Sequence, residues 1–117
     1  MTTKSAKAKG RRLQKAIAYR LTQLDPDGEY TSTTMGEAGT DVQDPYYCLP
    51  WDYLECRARE EWPNLSAIQE ELESKGNYLW AAVYKRNRGK QVWVVSDPVM
   101  DFLLQFYFDG LRDPEDR

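Results

Sequence analysis

The sequence predicts a single α/β domain over residues 1–117, with the order helix, short strands, helix, two strands, helix. Three observations carry that reading. Apolar residues in 5–24 recur at helical spacing, "YLECRA" (53–58) alternates with period two, and the apolar runs 78–85 and 91–96 are separated only by "RNRGK".

The elements follow in order. In residues 5–24, Leu13, Ile17, Leu21 and Leu24 share one helix face, while Lys4, Lys7, Arg11 and Lys15 line the other. Gly10 falls on the apolar side, where a missing side chain would let another backbone come close. "DPDG" (25–28) ends the helix with turn residues. "EYTSTTMGEAGT" (29–40), rich in hydroxyls and glycine, reads as an extended stretch running into a loop, and "TDV" as the start of a short strand. "QDPYYCLPW" holds two prolines and reads as a loop with aromatic anchors. In "YLECRA", Leu54 and Cys56 point one way and Tyr53, Glu55 and Arg57 the other, as in a half-buried strand. Residues 62–76 read as a helix with Pro63 or Asn64 near its start and Gly76 just past its end. The runs 78–85 and 91–96 are the strongest strands and form a hairpin. Residues 97–108 start a last helix, with Asp97 as N-cap and Pro98 at its first position. Val99, Phe102, Leu103 and Phe106 would cover the sheet, with Tyr107 and Phe108 left over, and residues 109–117 read as a frayed tail.

Composition narrows the chemistry. The apolar runs are too short to span a bilayer, and the basic N-terminus lacks an apolar signal region, so the expectation is a soluble, intracellular protein with no membrane partner. Cys48 and Cys56 have no metal or redox spacing and read as small apolar groups in a reducing compartment. There is no histidine, which removes Ser-His and Cys-His nucleophiles, imidazole bases and histidine zinc sites. Catalysis would rest on carboxylates, Lys or Arg, hydroxyls and a hard cation.

The net charge of −3 hides a segregation. Residues 1–24 carry seven Lys/Arg and no acid, residues 25–74 carry thirteen Asp/Glu against Arg57 and Arg59, and "KRNRGK" (85–90) puts four cations in six positions. A basic rim around an acidic centre suits a metal-dependent nuclease, with Lys9, Arg11, Arg12, Lys85, Arg86 and Arg88 as candidate DNA contacts. Solvated helix ends and a charged hairpin turn fit the same pattern. Trp51, Tyr53, Trp80, Tyr84 and Trp93 are candidates for stacking on unpaired bases, against the plainer reading of core and cross-strand packing.

Glu55 and Arg57 are two positions apart on one strand face, about 6.5–7 Å along the chain. With the Asp41 strand alongside, two carboxylates would converge on one divalent cation, and Mg²⁺ commonly takes one or two carboxylates plus waters and substrate phosphate. Arg57 would then face the phosphate or the attacking water. An ordinary ion pair on a strand face and a turn aspartate explain the same residues.

"SAKAKGRRLQ" (5–14), "STTMGEAGTDV" (32–42), "LPWDYLECR" (49–57) and "YKRNRGKQVWVV" (84–95) together resemble the PD-(D/E)XK nucleases, in particular small phage-encoded relatives of archaeal Holliday junction resolvases. The resemblance implies a restriction-endonuclease-like core, a mixed β-sheet flanked by helices, in the cytoplasm of a phage-infected bacterial cell. It implies Mg²⁺ or Mn²⁺ held by Asp41 and Glu55, with the Cys56 backbone carbonyl as a third ligand, and Ser32, Thr33 or Thr34 at a phosphate. It also implies branched or four-way-junction DNA as substrate, and a homodimer for which the last helix is a candidate interface or, equally, core. Two residues depart from the pattern: Arg57 stands where the family has lysine, and Gln14 where many relatives carry a helix glutamate. Arginine stays protonated, so Arg57 can stabilise charge but cannot serve as a base. Gln69, in the second helix, lacks the Gln-Ala context of phage relatives and receives no role. The expected function is a divalent-metal-dependent DNA endonuclease. The alternatives are a nuclease-fold module that binds DNA or a protein without turnover, and an interaction domain using its acidic middle.

Overall fold

The structure, a computed structural model, describes residues 3–34, 39–61 and 63–112. Its elements are α1 (Thr3–Leu24), a single 3-10 turn (Pro26–Gly28), β1 (Thr31–Ser32), β2 (Val42–Gln43), β3 (Tyr53–Ala58), α2 (Leu65–Ser74), β4 (Trp80–Lys85), β5 (Gln91–Val95) and α3 (Asp97–Leu111). The predicted α/β order holds, and the finer points of it divide. Met35, Gly36, Glu37 and Ala38, which form the middle of the "STTMGEAGTDV" resemblance, lie outside the described residues, as do Trp62 and the tail 113–117.

The sheet is mixed. β3 pairs with β4 in parallel, with Arg57 opposite Tyr84, and β4 pairs with β5 antiparallel, giving the order β3-β4-β5. β1 and β2 form a separate antiparallel ribbon. Period-two alternation sorts the side chains. Leu54, Cys56, Ala81 and Val83 pack on one face with Leu13, Ile17 and Ala18 of α1, whereas Trp80, Ala82 and Tyr84 pack on the other with Leu72 of α2. Ile17, Leu54 and Val83 are fully enclosed, each side chain contributing on the order of 1.5–3 kcal/mol by leaving water.

The ends of the helices follow local chemistry. Asn64 caps α2 by accepting from the Ala67 amide at 3.2 Å, and Gly76 takes a positive φ of 85° just past the end. Gly28 is needed by a close approach, since a Cβ there would meet the Tyr30 ring at 2.3 Å. Tyr30 is buried and donates its hydroxyl to Asp25 at 2.7 Å, which closes the turn after α1.

Several expectations change. A Cβ on Gly10 would meet nothing within 4 Å, so no backbone packs there. Leu24, at the last position of α1, is exposed. Ser96, not Asp97, is the cap residue of α3, and no side-chain hydrogen bond closes that cap. Residues 109–111 are helical rather than frayed. α3 does not cover the sheet: Val99 is its sole buried residue, while Phe102, Leu103 and Phe106 are exposed. Cys56 is buried as expected, but Cys48 is exposed, and both are free thiols.

Candidate functional site

β3 is an edge strand, and the segment Thr40–Asp41 runs along its free side. The Thr40 hydroxyl accepts from the Leu54 amide at 2.8 Å, and the Asp41 amide donates to the Leu54 carbonyl at 2.8 Å. One step on, the Cys56 amide donates to the Asp41 carboxylate at 2.7 Å. In a parallel ladder the amide and carbonyl of one residue face the same side, so the Cys56 carbonyl opens onto this edge too. The edge backbone thus seats Asp41 beside Glu55.

Thr33 braces that arrangement from behind. It is buried, its amide donates to the Asp41 carbonyl at 2.9 Å, its hydroxyl donates to the Thr40 carbonyl at 2.5 Å, and the Gln43 amide donates to that same hydroxyl at 2.6 Å. With its oxygen so occupied, Thr33 holds the Asp41 loop rather than facing a phosphate. Ser32 is half-buried in the ribbon opposite Val42, and Thr34 is exposed.

Electrostatics mark both acids. Burial pushes the Asp41 carboxyl above its ordinary value, opposed by the Cys56 hydrogen bond and the Arg57 charge. Burial also raises Glu55, Arg57 pulls it back, and the charge of Asp41 pushes it up again. The two carboxylates therefore sense each other across a site that penalises charge, a setting in which a divalent cation would relieve both. Arg57 forms an ion pair with Glu55, and its side chain is 35% exposed against 12% for Glu55. Its guanidinium is thus the member able to swing outward.

Two tyrosines complete the surroundings. Burial, and after it the charges of Glu55 and Asp41, push the Tyr53 phenol up to about 12. Tyr84, opposite Arg57 and on the same face, is buried, and its hydroxyl has no hydrogen-bond partner among the described residues. The Gln14 amide oxygen is likewise buried and without a partner among the described residues. Gln69 is exposed on α2. Among the described residues no group of three or more His, Cys, Asp or Glu side chains converges, so a cation here would rest on Asp41, Glu55, the Cys56 carbonyl and waters. That donor set is all oxygen, which suits Mg²⁺ or Mn²⁺.

The predicted DNA contacts divide. Lys9, Arg12, Lys85 and Arg86 line one groove of about 360 Å³, together with Arg59, which sequence reasoning passed over. Arg11 is exposed on α1, and Arg88 stands in the hairpin turn with a φ of 58°; neither lines the groove. The aromatics are mostly packing groups. Trp80 and Tyr84 are buried, and Trp51 and Trp93 contact each other with centroids 5.6 Å apart, so base stacking is closed to Trp80 and Tyr84. Thr33 and Thr40 were legible only as part of a hydroxyl-rich stretch. Their bracing role depends on a pairing of segments that spacing does not reveal. No family model, no curated protein and no solved structure matches this chain.

Proposed function

We propose that this chain is a divalent-metal-dependent DNA endonuclease, built on a restriction-endonuclease-like core and acting on branched DNA such as a four-way junction in a phage-infected bacterial cell. The observation that carries the reading is the seating of Asp41 by the Cys56 amide, next to Glu55 on a free strand edge. Asp41, Glu55 and the Cys56 carbonyl would hold Mg²⁺ or Mn²⁺. When bound, such a cation supplies Lewis-acid polarisation of a phosphoryl oxygen and a more acidic water. Arg57 leaves Glu55 and turns its fork to the phosphate, where it neutralises developing charge but takes no proton. A homodimer meeting through α3 belongs to the same reading, because that helix leaves large apolar residues exposed.

A second reading has an observation of its own. Arg57 is engaged with Glu55 as the protein stands, which suits a module that binds DNA without turnover. One pair of measurements separates the two. Labelled four-way junction, duplex and single strand are incubated with Mg²⁺, Mn²⁺ or EDTA, and cleavage is expected on the junction with metal only. In parallel, Mn²⁺ at a hundredfold excess over its Kd should stabilise the wild type by about 2.7 kcal/mol. Asp41→Ala and Glu55→Ala should lose most of that gain. Equal metal stabilisation in all three proteins would remove the metal site, and a metal-stabilised but inert protein would leave the binding module.

A further inference from the structure

The basic groove has features that phosphate steering alone does not need. It opens at the end of the sheet where β3 and β4 finish and β5 begins, under the N-terminal half of α1. Glu55 and Arg57 lie on the opposite face, and Arg59 is four residues beyond Glu55, about 13 Å along an extended chain. The groove is therefore a place separate from the carboxylates.

Its lining is of three kinds. Lys9, Arg12, Arg59, Lys85 and Arg86 supply positive charge, and among the described residues of the lining Glu60 is the acid. Leu13, Ala16 and Ala58 give an apolar wall. Asn87 and Gln91 bring amides that can both donate and accept, although Asn87 already accepts from Lys9 at 3.0 Å and Gln91 from Arg20 at 3.3 Å. At about 360 Å³ the space sits near the lower end of small-molecule sites, which run roughly 300–1,000 Å³. A duplex is too broad to enter and would touch only the cationic rim. An unpaired nucleotide fits all three kinds of lining: cations for its phosphates, the apolar wall for a base face, and the amides for base edges.

We infer that this groove binds an unpaired nucleotide of a DNA strand, so that the protein prefers ends and branches with single-stranded character to continuous duplex. This rests on the DNA-binding part of the proposed function and not on turnover. Small residues on the wall keep the groove open, and Lys9 holds its rim together by bonding Asn87 and approaching Glu60 at 4.0 Å.

Fluorescence anisotropy in EDTA tests it without cleavage. A duplex with an oligothymidine tail should bind about tenfold tighter than the same duplex blunt-ended, a difference of about 1.4 kcal/mol. Ala16→Trp adds bulk at an exposed helix position without changing charge. It should bring tailed binding down to the blunt level while blunt binding stays unchanged. Arg88→Ala, outside the groove, should weaken both substrates by the same factor. Equal wild-type affinity for tailed and blunt DNA overturns the inference, as does a tail preference that survives Ala16→Trp. Should that variant fail to fold, a 4-thiothymidine in the tail photocrosslinked to the wild type decides. Adducts on the groove lining within residues 9–16, 58–60 or 85–91, Arg11 and Arg88 excepted, support the inference, and adducts only elsewhere overturn it. The Mn²⁺ stabilisation of Asp41 and Glu55 variants is read separately, so either proposal can fail alone.

Discussion

The first and last helices carry different apolar patterns and come to rest in different surroundings. In α1 the apolar positions form a narrow stripe, and Leu13, Ile17 and Ala18 from it are buried against β3 and β4. In α3 the polar residues Asp97, Asp101, Gln105 and Asp109 form the narrow stripe, at steps of four, and Gln105 donates to Asp109 at 2.9 Å. Nearly everything else on α3 is apolar. Yet Phe102, Phe106, Tyr107 and Leu111 are each more than half exposed. A helix apolar around most of its circumference is ordinarily enclosed. The helix with the smaller apolar share holds the fold, and the richer one holds almost nothing within the chain. Apolar content marks a surface for burial, while the position of the neighbouring sheet decides whether the same chain supplies the cover.

The largest expected effect tests the α1 half of this contrast. Ile17→Ala should destabilise the protein by about 2–5 kcal/mol in urea unfolding, because the cavity opens at the centre of the packed face. A cost as small as that of a surface substitution would mean that α1 is not the anchor. On the α3 side, the wild type should form a dimer in sedimentation equilibrium. Phe102→Asp combined with Phe106→Asp should weaken association by more than tenfold, as removal of central aromatics does at interfaces. Unfolding of the dilute monomer should change by only about 0.5 kcal/mol. A wild type that stays monomeric at every concentration would break the comparison, leaving α3 with no partner of its own kind.

A smaller effect is expected from the acids that the Thr40–Asp41 segment and β3 bring together. Burial raises both Asp41 and Glu55 above their ordinary values of 3.8 and 4.5. A carboxyl that holds its proton more tightly folded than unfolded contributes stability below its unfolded pKa, and that contribution fades as pH rises through the folded pKa. Metal-free protein should therefore lose stability as pH climbs from the ordinary carboxylate range. Asp41→Asn with Glu55→Gln should flatten the slope, measured by urea melts in EDTA between about pH 4 and 7. A wild-type slope of the opposite sign would show that the ion pair with Arg57, not burial, dominates.

The smallest effect concerns Tyr84, on the α2 side of the sheet. Its hydroxyl is buried without a partner among the described residues, so Tyr84→Phe should be neutral or stabilising by up to about 1 kcal/mol. A clear loss of stability would reveal a partner for that oxygen and show that this side of the core is better satisfied than it looks.

Much of the body was legible from local rules. The alternation of "YLECRA" gave the two faces of β3, with Leu54 and Cys56 inward and Glu55 beside Arg57, because a strand repeats every two residues whatever its neighbours do. Asn64 and Gly76 marked the ends of α2, since capping and positive φ are properties of a few bonds. The hairpin of β4 and β5 followed from two β-rich runs joined by a short polar turn.

What the sequence determined by itself was therefore the identity and faces of the elements, the absence of imidazole chemistry and the segregation of charge. Tertiary structure alone decided that Thr33 faces inward to brace Asp41, and that the Cys56 amide holds the Asp41 carboxylate. It also drew Arg59 into one groove with Lys9 and Arg86, and left α3 uncovered. The reason is physical: periodicity and capping are set within a few residues, whereas these four outcomes depend on which edges and faces of distant segments meet, and no local preference encodes that.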